Sequence, residues 1–137
     1  MHKIRDMNVV AACAVSLLAY AILESAWLVA MHAFYEGQFA RIGVAPLKVH
    51  SYLAAVWCYA LLLVGFYVLV LSVPCATPVE KMLRGCVYGK CVYGVYNLTN
   101  KATVPGWSWM MVILDTAWGA LAFGATAWVF TLASSSS

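Results

Sequence analysis

The sequence predicts an all-α membrane protein, four transmembrane helices in one bundle, and three observations carry that prediction. Apolar residues make up 65% of the chain and charged residues only 9%, where soluble domains carry roughly a quarter charged. The apolar residues gather in runs long enough to cross a hydrocarbon core of roughly 30 Å. The gaps between runs hold Pro74, Pro78, Pro105 and Gly106, residues that end helices. The whole chain, 1–137, reads as a single integral membrane domain.

The first run spans 8–33 and follows a short basic stretch, "MHKIRDMN". That opening resembles the start of a signal peptide, but the run continues well past signal-peptide length, so it reads as a retained span. At 1.5 Å per residue the first and fourth runs measure roughly 40 Å and must tilt or protrude. Residues 34–50, "FYEGQFARIGVAPLKVH", form the longest connection, with room for a short helix on the membrane surface. The second span, 51–73, is uncharged. The third, 82–99, is the least apolar, because it carries Arg84, Lys90 and three glycines. Between stronger spans it is expected to cross with its polar residues turned inward. The fourth covers 107–133 and gives way to a serine tail. Gly85 with Gly89, and Ala120 with Gly124, repeat a four-residue small-residue spacing that lets helices approach closely. Lys3, Arg5, Lys81 and Arg84 oppose Arg41, Lys48 and Lys101, which favours both termini on the positive-inside face.

Two hexapeptides stand out, "ILESAW" at 22–27 and "ILDTAW" at 113–118. A charge near the bilayer centre costs about 2.5 to 3.5 kcal/mol on insertion scales, so Glu24 and Asp115 need partners, protons or water. In an antiparallel pair of outer spans they fall in the same half of the membrane at nearly one depth. Trp27 and Trp118 follow each acid by three residues, and Tyr20 precedes Glu24 by four, so each shares a helix face with its acid. Lys90 is the only cation placed near mid-span. The expectation is that one acid pairs with Lys90 and the other is protonated or hydrogen-bonded to Trp, Tyr, Ser25 or Thr116. Such a cluster reads either as a polar lock on helix register or as a proton or cation path.

Other features point to little chemistry. Cys13, Cys58, Cys75, Cys86 and Cys91 include no CxxC pair and read as small buried hydrophobes. His32 and His50 flank the first loop without a further ligand set, so no metal site is expected. "NLT" at 97–99 matches a glycosylation sequon but lies at a helix end close to the membrane. No nucleophile has a base at recognisable spacing and no phosphate loop is present, so no catalytic residues and no enzymatic activity are expected. A formal charge of +3 without a basic cluster argues against nucleic acid. No cofactor is expected; a bound lipid fits such a bundle, and the sequence leaves pigment or haem open.

Residues 93–121, "YGVYNLTNKATVPGWSWMMVILDTAWGAL", resemble the uncharacterised membrane-protein family called domain of unknown function 2177. Tyr93, Gly94, Tyr96, Thr99, Asn100, Ala102, Thr103, Trp107, Asp115, Trp118 and Gly119 match its pattern, and Glu24 with Trp27 resembles the acid and Trp of its first span. Asn97 stands where that family usually has Asp, and Lys90 is a further departure. The resemblance implies a four-span fold and no established activity.

The functional expectation is a non-catalytic accessory or assembly subunit of a larger membrane complex, of energy-transducing type, in an organellar inner or bacterial inner-type membrane. Its partners would be the lipid bilayer and other membrane-protein subunits. The alternative is a small oligomeric proton-coupled transporter or channel using Glu24 and Asp115. Whether the two hexapeptides are a true repeat stays open, because spans one and four are not the pair that duplicating a two-helix unit would match.

Overall fold

In the computed structural model the backbone is described for residues 2–43 and 49–135, and side chains for 9–43 and 52–135. The first helix, α1 (His2–Arg41), is roughly 60 Å long and continues past the end expected at residue 33. Residues 34–41, expected to begin a loop, are its last two turns. The reason is that no proline interrupts this stretch, and Phe34, Tyr35 and Phe39 have a surface to cover: Trp107, Met111 and Val112 at the start of the fourth helix. Gly37 is tolerated on an open face, with nothing within 4 Å of a Cβ built there. The chain turns at Gly43, whose φ of 69° suits a residue without a Cβ. The surface helix expected in the same connection would fall on residues 44–48, outside the described residues, as does the side chain of His50.

The second helix, α2 (Val49–Phe66), ends in a π-helical turn, Tyr67–Leu71, where the Ser72 N–H reaches back to the Tyr67 carbonyl at 2.8 Å. A helix end leaves carbonyls without partners. Here the ammonium of Lys81 supplies them, donating to the carbonyls of Val70 (3.1 Å), Leu71 (2.9 Å) and Val73. Lys81 is buried, with its Nζ 5.8 Å from the centroid of the Phe130 ring. A cation at a helix C-terminus also gains from the backbone dipoles, so this lysine fastens the end of α2 to the next helix.

That helix, α3 (Pro78–Thr103), starts with proline at its first position and with the Thr77 hydroxyl accepting from the Glu80 N–H at 3.1 Å, a normal N-cap. At 26 residues it measures roughly 39 Å, long enough to cross a bilayer. Its hydropathy is lower than that of the three helices apolar enough to span by composition, Val9–Arg41, Tyr52–Leu71 and Trp109–Ser135. Glu80, Lys81, Arg84, Lys90 and Lys101 lower it, and its glycines instead serve close packing on the fourth helix, α4 (Trp109–Ser135). A Cβ at Gly89 would overlap the Gly119 carbonyl, and one at Gly85 would stand 2.5 Å from the Phe123 carbonyl oxygen. On α4 the receiving positions are Gly119, crossed by the Tyr93 ring, and Gly124, which faces the Cys86 sulfur; Ala120 is only half-buried.

Ring pairs fix the register. Tyr20 meets Phe123, Trp27 meets Trp118 and Phe39 meets Trp107, so α1 and α4 are antiparallel. Phe123 is fully buried and touches Tyr20 of α1, Phe66 of α2 and Tyr88 and Tyr93 of α3, which makes it the hub of the bundle. The C-terminal end of α2 joins this core through Phe66, Val70 and Leu71. Its N-terminal half, by contrast, has no buried residue among those described, and splays outward. Large apolar side chains such as Leu18, Val29, Leu61, Val87 and Leu121 cover the outside of all four helices. An apolar exterior of this extent requires lipid as its solvent. The molecule is an all-α membrane bundle in contact with the bilayer.

Candidate functional site

Where α2 splays away, a cavity of about 690 Å³ opens between the helices. From α1 come Glu24, Trp27, Tyr35 and Phe39; from α2, Cys58 and Tyr59; from α3, Tyr93 and Tyr96; and from α4, Asp115. His32 and Glu36 line its exposed edge as a one-turn pair, 3.6 Å apart.

Glu24 is 8% exposed. Its Oε1 accepts from the Tyr20 hydroxyl one turn earlier, at 3.0 Å, and from the Tyr93 hydroxyl of α3. The two phenol oxygens are themselves 3.2 Å apart. Tyr93 can reach because its ring crosses α4 at Gly119, where no side chain intervenes. Asp115 accepts from the Tyr35 hydroxyl and, at 2.9 Å, from the amide nitrogen of Asn97. Asn97 is fully buried; its amide oxygen accepts from the Trp107 indole at 3.3 Å. The Trp27 indole donates to the Tyr35 oxygen at 2.9 Å. Each acid is thus held by two side-chain donors, and every one of those donors is neutral.

The structure brings Glu24, Trp27, Asp115 and Trp118 together and leaves Lys90 out. Gly85, Gly89, Tyr93 and Asn97 stand four residues apart, one stripe facing α4 and the acids. Lys90 follows Gly89 by one residue, a turn of about 100° off that stripe, and is exposed. Among the described residues the ion pairs are His32 with Glu36 and Arg84 with Glu80, so the expected partnership of Lys90 with an acid is not made. Ser25 is exposed as well. The Thr116 hydroxyl and the Trp118 indole nitrogen are buried without a partner.

Depth also differs from expectation. The Trp27 and Trp118 rings stack at 4.6 Å with planes 3° apart, and the register of α1 against α4 puts this stack between the two acids. Glu24 and Asp115 are therefore offset along the helix axis by roughly six residues, about 9 Å, instead of lying level. Tyr93 and Asn97, one turn apart on α3, each serve one acid.

The remaining motif residues support this arrangement. Tyr96 meets Trp107 edge-on at 5.9 Å while lining the cavity. A Cβ at Gly94 would meet the Thr116 methyl at 3.5 Å, an ordinary contact. Thr99 and Asn100 act through backbone: the Thr99 carbonyl accepts from Thr103 and the Asn100 carbonyl accepts from the Val104 N–H at the helix end. Two cysteines, Cys58 and Cys91, are exposed instead of buried, because a small apolar side chain is at home in lipid. Among the described residues no three His, Cys, Asp or Glu side chains converge as a metal site needs.

Sequence reading missed Tyr35, Tyr59 and the donor role of Asn97. Tyr35 was hidden by the early end assigned to the first helix; the available signal was an unbroken run with Tyr35 and Phe39 one turn apart.

A family model described as "Predicted membrane protein (DUF2177)" matches residues 9–132, a range that takes in all of the site. No curated protein and no solved structure matches the chain significantly. The chain belongs to the DUF2177 family of predicted membrane proteins.

Proposed function

We propose that this protein is a small, non-enzymatic carrier in an inner-type membrane that loads a proton or a cation at Glu24 and Asp115. One observation carries the reading: both carboxyl groups line an open cavity inside the apolar bundle, and only neutral donors hold them. A polar lock would be filled and would contain its own counter-charge. Here the one lysine near mid-span is outside, so charge balance at the acids is left to protons or to a guest. The weakly packed half of α2 supplies the element that can move to admit one.

Reconstitution in liposomes with an internal pH reporter tests this. Native protein should carry a proton or cation flux that Glu24→Gln and Asp115→Asn abolish while melting temperatures hold. Amide variants that unfold, or that leave the flux untouched, contradict the reading.

A second reading, an accessory subunit of a larger complex, draws support from α2. Trp57 is 64% and Tyr52 58% exposed on the half of the helix that the bundle leaves uncovered, where a partner helix could pack. Native mass in mild detergent separates the two: co-migration with a large assembly favours the subunit, a monomer or self-oligomer the carrier.

A further inference from the structure

We propose that the cavity is a binding site for a lipophilic organic ammonium, a protonated amine on an apolar or aromatic body, with its nitrogen at Glu24 and its body extending along the aromatic wall toward Asp115. The inference rests on the reading that these carboxyl groups are open to a guest, and it names the guest.

Charge complementarity comes first. The cavity presents the carboxyl groups of Glu24 and Asp115 inside and of Glu36, paired with His32, at its edge, and no Lys or Arg lines it, so an anion is repelled and a cation completes the site. The walls select the kind of cation. Trp27, Tyr35, Tyr59, Tyr93 and Tyr96 offer aromatic surface, which attracts ammonium groups through the ring quadrupole. A hard metal ion needs six or more oxygens around it, and these apolar walls do not provide them. Size agrees, since about 690 Å³ is within the range of pockets that enclose drug-sized molecules. Depth excludes a lipid headgroup amine. Glu24 is near the middle of the apolar stretch Val9–Arg41, roughly 15 Å of hydrocarbon from either surface. The guest is therefore a diffusible amine that partitions into the bilayer and enters between α1 and α2. Its arrival as a cation beside a protonated carboxyl releases that proton, so one positive charge enters as one leaves.

The full chain in mild detergent, titrated calorimetrically with 4-phenylbutylamine and with the uncharged 4-phenylbutanol, tests the site. The amine should bind saturably, about tenfold or more tighter than the alcohol, a difference of about 1.4 kcal/mol. Proton release should appear as a binding heat that changes with buffer ionisation enthalpy. Glu24→Gln with Asp115→Asn should weaken the amine about tenfold and leave the alcohol unchanged. Should that pair fail to fold, Ala55→Trp fills the cavity from α2 without touching the hydrogen-bond network, and amine binding should be lost. Equal affinity for amine and alcohol, meaning an apolar pocket that lipid fills, overturns the proposal, as does unchanged amine binding in the Ala55→Trp variant. Amine binding without flux in liposomes leaves the site standing and sinks the carrier. Proton flux without amine binding does the reverse.

Discussion

Asn97 decides the character of the Asp115 site. An amide there donates to the carboxyl at 2.9 Å while its oxygen takes the Trp107 indole; a carboxyl group there would have to share a proton with Asp115, because two carboxylates at that distance cannot both ionise. Asn97→Asp should therefore melt lower than the native protein at neutral pH, by about 1 to 3 kcal/mol for the lost donor, and should regain stability as the pH falls and the shared proton is supplied. A pH series of detergent melting temperatures reads this directly; a variant whose stability does not recover in acid would place Asn97 outside the network. That this residue departs from the family pattern was legible in the sequence, but its partner was not. Tyr93 and Asn97 share a stripe by their four-residue spacing, yet nothing local says that α1 will bring Tyr35 to the other side of the same acid.

At the scale of elements, apolar runs and proline punctuation were enough to place four helices, because lipid leaves the backbone few alternatives to satisfying its own hydrogen bonds. The end of α1 was not legible, since its last turns depend on a docking surface at Trp107 and Met111 created by distant parts of the chain. The role of Lys81 was hidden for the same reason: near a helix start it reads as a loop charge, and only the fold delivers the carbonyls of α2 to it. Lys81→Met should leave those carbonyls without donors and cost about 1 to 3 kcal/mol, with α2 the first element to become protease-sensitive. Gly89→Ala, by overlapping the Gly119 carbonyl, should force α3 from α4 and cost at least the roughly 1 to 3 kcal/mol of an overpacked core. Gly37→Ala, with open space around it, should instead stabilise α1 by about 0.5 to 1 kcal/mol. Melting temperatures of the three variants check the ranking.

Over the whole molecule, the pairing of α1 with α4 explains why the chain carries two acid-x-x-Trp segments. Antiparallel helices bearing the same spacing meet about a local two-fold: the two tryptophans stack at the centre and the acids flank them. Each segment alone suggests a buried acid with an indole on its own face; only together do they build a cavity wall with carboxyl groups at two depths and aromatic surface between. The expected pairing of Lys90 with an acid is not made, because its position one residue past Gly89 turns it to the outside. The central claim is thus that Glu24 and Asp115 face an open, lipid-accessible cavity. Dicyclohexylcarbodiimide, an apolar reagent that modifies carboxyl groups reached from an apolar phase, tests it most directly when applied to the folded protein and followed by peptide mass mapping. Both acids should be modified, and Ala55→Trp should protect them. Modification of neither acid until the protein is denatured would contradict the account.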